Sequence, residues 1–108
     1  MSNNPQEYLS FRVKFIDWLR DYACGVKAPF LSVGGVRLIE DYLRANGISI
    51  ELFSIGERLA VLNRLFRELV LPLARAGYIE VSYIGSGGGV ANSIVNVSKV
   101  AMGCGGEP

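Results

Sequence analysis

At 108 residues, half of them apolar and 19% charged, the chain is sized for one domain around a single core and is too apolar to be disordered. Lysine and arginine number 11 against 10 acidic residues, a formal charge of +1, and histidine is absent, which excludes Ser-His and Cys-His nucleophiles and His-ligated metals. No uninterrupted apolar run of about eighteen residues occurs and no basic stretch leads into an apolar one after Met1, so neither a membrane span nor a secretory signal is expected and the cytoplasm is the expected location.

The first helix is expected from Pro5 to Cys24, with Asn4 as N-cap and Pro5 where a missing N–H costs nothing. Ser10, Lys14, Asp17 and Asp21 fall on one polar stripe. The rest of the circumference carries Tyr8, Phe11, Phe15, Trp18, Leu19 and Tyr22. An apolar arc that wide has more than one face to bury, so Tyr8, Phe11, Phe15, Trp18 and Tyr22 are the candidate contacts with a second copy of the chain. The competing reading is that they are simply core.

Gly25 to Pro29 reads as a loop, and a second helix is expected to begin at Ser32 or its neighbours and to continue through Val36, Ile39, Tyr42 and Leu43. Asn46-Gly47 ends it, because glycine takes the left-handed conformation that closes a helix. Ile48 to Phe53 is either a brief extended segment or a turn that drops Leu52 and Phe53 into the core. Ser54-Ile55-Gly56-Glu57 has the form of a capping box, in which hydroxyl and carboxylate satisfy each other's backbone N–H groups at a helix start. From there Ile55, Leu59, Leu62, Phe66, Leu69 and Leu73 recur at helical spacing as a stripe for the core, with Glu57, Arg64, Arg67, Glu68 and Arg75 opposite. Pro72 cannot donate to the carbonyl of Glu68 and is expected to kink the helix or split off its last turn before Gly77 stops it.

A hairpin follows, Tyr78 to Ile84 and Ser93 to Val100, with Ile79, Val81 and Tyr83 on one face and Val95 and Val97 matching them. Residues 85–92, Gly-Ser-Gly-Gly-Gly-Val-Ala-Asn, are too many for a two-residue turn and are expected to form a mobile loop. That loop lacks the lysine of a phosphate-binding loop and sits between strands, so it carries no nucleotide site. The expected domain is residues 1–102, and residues 103–108 are expected to form a disordered tail. Cys24 and Cys104 form no CxxC pattern; they are either two inert thiols or a disulfide of the kind hyperthermophiles keep inside the cell. The excess of arginine over lysine and the single glutamine lean toward a thermophile.

The turn from Gly47 to Phe53, the capped helix from Ser54 and the hairpin from Tyr78 to Val100 together resemble the winged helix-turn-helix superfamily. The resemblance covers roughly residues 30–101 and lies in element order, without a diagnostic motif. It implies an α+β fold of three main helices followed by a C-terminal hairpin wing, and the long aromatic first helix looks like the additional helix of small dimeric archaeal members. It further implies double-stranded DNA as the partner, bound by a homodimer acting as a transcriptional regulator or chromatin-type protein, with the helix from Ser54 in the major groove. By position the contacts would be Ser54, Glu57, Arg58, Arg64 and Arg67, arginine being suited to bidentate contact with guanine or phosphate. The expected wing, however, carries no lysine or arginine, and a near-neutral chain neutralises few phosphates. The alternative is therefore a winged helix that serves as a protein-interaction module in a larger assembly. No catalytic residue, metal or cofactor is expected: Glu40 and Asp41, adjacent on a helix, diverge rather than pair.

Overall fold

The computed structural model describes residues 5–85 and 87–104, with side chains from residue 14 onward. The chain is an α+β fold in which helices pack on one face of a three-stranded antiparallel sheet. In order the elements are α1 (Pro5–Cys24), β1 (Phe30–Gly34), α2 (Gly35–Ala45), α3 (Ile55–Leu65), α4 (Leu71–Arg75), β2 (Ile79–Tyr83) and β3 (Ser93–Ser98). The sheet order is β1-β3-β2, so the last strand is the central one. None of the helices among the described residues is long and apolar enough to cross a membrane.

The strand β1 corrects the sequence reading, which started the second helix at Ser32. Leu31 and Val33 point inward while Phe30, Ser32 and Gly34 point out, the alternation of a half-buried strand. Leu31 pairs with Val97 and Val33 with Val95, and across β3 those two valines meet Ile79 and Val81 of β2. One apolar sheet face results, and Leu38, Ile39, Tyr42, Leu62, Phe66, Leu69 and Val70 close the core against it.

The junction between β1 and α2 has no linker, and Gly35 makes it possible. A Cβ there would overlap Ser93 Oγ outright and lie 3.2 Å from Val90 Cγ2 and 3.3 Å from Phe66 Cε1. Only glycine lets the first turn of α2 approach the start of β3 this closely. At the other end of α2, Asn46 is the C-cap and Gly47 has φ +78°, as its sequence implied.

Residues 50–52 form a single 3-10 turn. Leu52 is 78% exposed and only Phe53 turns partly inward, so Leu52 does not join the core. At Pro72 the last turn is split off as a short separate helix, one of the two expected outcomes. The α3 helix runs into a π turn over Phe66–Val70, where the N–H of Leu71 reaches back to the carbonyl of Phe66, and α4 then starts with proline in its first turn. The π turn absorbs the bond that proline cannot make.

Cys24 and Cys104 are joined in a disulfide, with Cα atoms 5.5 Å apart. Of the tail expected from Gly103 onward, Cys104 is thus tied to the end of α1, Met102 before it is buried, and residues 105–108 lie outside the described residues.

Candidate nucleic-acid interface

The first half of the α3 helix is exposed from Ile55 to Ala60 apart from half-buried Arg58. Its start is fixed by the expected capping box: Ser54 Oγ accepts from the Glu57 N–H at 3.3 Å and Glu57 Oε1 accepts from the Ser54 N–H at 3.1 Å. That reciprocity uses both groups for the cap. It also sets a carboxylate at the helix end where a phosphate would seek positive potential, so Ser54, Glu57 and the first-turn amides offer an anion little. Ser54 and Glu57, named from the sequence as DNA contacts, are both engaged in the cap.

The arginines divide. Arg58 is half-buried and turns back along the helix, where its Nε donates to the carbonyl of Phe53 at 3.0 Å and clasps the preceding turn. Arg64 projects outward with 71% of its side chain exposed and pairs loosely with Glu68 one turn on, at 3.2 Å. Such an exposed pair is worth less than about 1 kcal/mol and opens readily to a stronger anion. Arg67, on the π turn, is exposed and makes no ion pair among the described residues. Glu57, Ala60 and Arg64 follow one another at helical spacing on the outer face, and Gly56 and Ala60 keep that face low enough for close approach.

Two members of the expected core stripe lie outside the core. Ile55 is 82% and Leu59 49% exposed, and with Leu52 they form an apolar row along the flank of the first two turns. The stripe is buried from Leu62 through Phe66 and Leu69 but not at its amino end, where Ile55 and Leu59 are exposed.

The loop between β2 and β3 reaches α3 through a contact that the sequence reading missed. Asn63 Oδ1 accepts the N–H of Val90 at 2.9 Å, and Val90 is fully buried. Residues 90–92 form a 3-10 turn, Ser93 Oγ donates to the carbonyl of Val90 at 2.8 Å, and Gly89 turns the chain at φ +100°. The expected mobile loop is therefore anchored at its C-terminal end. The one hint in the sequence was a lone valine among glycines. On the β2 side, Tyr83 lies edge-on to Phe66 at 6.5 Å, while Ile84 is exposed.

The aromatic face of α1 is largely spent within the chain. Phe15 is 1% exposed and meets Tyr42 edge-on at 4.9 Å, so it has no surface for a second copy and belongs to the core. Trp18 stacks on Tyr22 at 4.6 Å and leans on Tyr42 at 5.2 Å, leaving both Trp18 and Tyr22 half-buried. Tyr22 also donates its hydroxyl to Asp41 Oδ2 at 2.5 Å, joining α1 to α2 beside the Arg37 and Arg44 pairs of the same carboxylate. Burial, reinforced by that bond to an anion, pushes the Tyr22 phenol up to about 12. Tyr8 and Phe11 lie outside the residues whose side chains are described.

No protein-family model matches the chain, and neither does any curated protein or solved structure.

Proposed function

We propose that the chain is a winged-helix module that binds duplex DNA through the outer face of α3. The observation that carries the reading is the position of that helix. The first two turns of α3, Ile55 to Ala60, are exposed apart from half-buried Arg58, and the β2–β3 loop is pinned beside the helix through Asn63. The β1 strand, absent from the sequence reading, joins the hairpin in one sheet, an arrangement compatible with a winged helix. Arg64 and Arg67 supply the charge, and Gly56 and Ala60 the clearance that a helix needs in a major groove. Two copies would set paired helices on successive grooves, and among the described side chains of α1 the outer edge of Trp18 and Tyr22 is available for that pairing.

Two cations per copy set the scale. The slope of log affinity against log salt should be about −2 for one copy and about −4 for a pair, shallow for a DNA binder. Fluorescence anisotropy of labelled duplex DNA at low and physiological salt reads this directly, beside the Arg64→Ala, Arg67→Ala double variant. Binding that weakens with salt and vanishes in the variant supports the proposal; binding unchanged in the variant removes the surface.

A second reading, a protein-interaction module, is favoured by the row Leu52, Ile55 and Leu59, which offers a partner apolar area without charge. It predicts no DNA binding even at low salt.

A further inference from the structure

The segment from Lys99 to Cys104 is a strap laid across the side of the helical layer. Its fold is a run of turns, in which the N–H groups of Met102, Gly103 and Cys104 donate to the carbonyls of Ser98, Val100 and Lys99. Met102 is its one fully buried side chain, 6% exposed, and Cys104 packs partly on the core, whereas Val100, Ala101 and Gly103 are exposed. Met102 closes a shallow apolar cleft of about 130 Å³ whose other walls are Ile16 and Arg20 of α1, Leu73 of α4 and Tyr78. Arg20 Nε donates to the carbonyl of Met102 at 3.1 Å, and the Lys99 N–H donates to Pro29 at 3.2 Å. Beyond these the strap is held by the disulfide at its end, whose Cys24 is exposed and whose Cys104 is half-buried.

We infer that the Cys24–Cys104 bond is a redox latch: a dithiol reductant opens it, and the strap then leaves the cleft between α1 and α4. One buried side chain and a few hydrogen bonds, set against the entropy of ordering a glycine-containing segment, leave the bond to decide between closed and open. Exposure makes Cys24 Sγ the point of attack. A reductant thiolate bonds to it, and the disulfide breaks with its electron pair going to Cys104 Sγ, which takes a proton from water. The second reductant thiol then displaces Cys24 from the mixed disulfide. Two electrons and two protons end on the chain, and the reductant is left as a cyclic disulfide. Opening bares Ile16 of α1 and Leu73 of α4, in a cleft that no α3 side chain lines, so the latch stands whether or not α3 binds DNA.

Amide and methyl NMR spectra of the full chain, recorded before and after dithiothreitol and beside Cys104→Ser, test the latch. The expected result on reduction is that residues 100–104 move to random-coil shifts, Ile16 and Leu73 methyls shift, and Val95 and Val97 of β3 stay in place. Cys104→Ser should show the open spectrum without reductant and no response to it. Native shifts for residues 100–104 after complete reduction would overturn the inference, because the strap would then close unaided. Collapse of the whole spectrum would overturn it equally, by making the bond a condition of folding rather than a latch.

Discussion

Removing the covalent link between Cys24 and Cys104 by Cys104→Ser should cost the fold a large part of its stability, and the size of the loss follows from where the two residues lie. They are 80 residues apart in sequence, so the bond closes most of the chain into a ring in the unfolded state as well as in the folded one. Loop-closure entropy for a ring of that length comes to about 4.5 kcal/mol at 25 °C, felt almost entirely as a restriction of the unfolded ensemble. For a domain of this size that is about 15–20 °C in Tm, against a total stability of about 5–15 kcal/mol. Urea unfolding of the oxidised wild type and of Cys104→Ser, followed by far-UV circular dichroism, measures it. The variant should still show a cooperative transition, at a much lower midpoint and with a larger m-value, since its unfolded chain is no longer tied back on itself. A loss under about 1 kcal/mol would refute the reasoning, because the unfolded chain would then gain no freedom from losing the link.

Other consequences are equally concrete. Gly35→Ala should destabilise by about 1–3 kcal/mol through overlap with Ser93 Oγ, and adding Ser93→Ala should recover part of that loss, as a double-mutant cycle in urea would show. Absorbance at 295 nm against pH should reveal a phenol titrating late, near 12, that disappears in Tyr22→Phe. Because the folded pKa of Tyr22 lies above its unfolded value near 10, its contribution to stability is complete below pH 10 and is lost as pH rises from there through about 12. Asn63→Ala leaves the Val90 N–H without its acceptor, so amide exchange at Val90 should accelerate while β3 remains protected.

Local signals in the sequence carried the helices further than they carried the sheet or the site. Ser54 and Glu57 are three residues apart and make the capping box their spacing implies, and Asn46-Gly47 and Gly77 end helices where glycine at positive φ is needed. The first strand was illegible for a physical reason. Its five residues pair with β3, and the closest pairing, Gly34 with Ile94, spans sixty residues, so nothing nearby records it, while Ser32 followed by an amphipathic run imitates a helix start. Periodicity reported which side of α3 faces inward but not how far along its axis the core extends, which is why Ile55 and Leu59 were assigned to a core they overhang. Of the candidate site, the outward arginines Arg64 and Arg67 were legible from the helical face. The clasp of Arg58 on Phe53 and the bond from Asn63 to Val90 depend on three-dimensional closure and were not.

The place of β3 has a consequence for how the protein comes into being. Strands β1 and β2 are not paired with each other; among the described residues each is a ladder partner of β3, which follows both in the chain. During synthesis both edges wait with their backbone groups unpaired, and α2 and α3 have no sheet face to settle on until residue 98 has emerged. Sheet formation thus waits for β3, and a chain cut short before Ser93 should leave both outer strands unpaired and their apolar residues open to a chaperone or a protease.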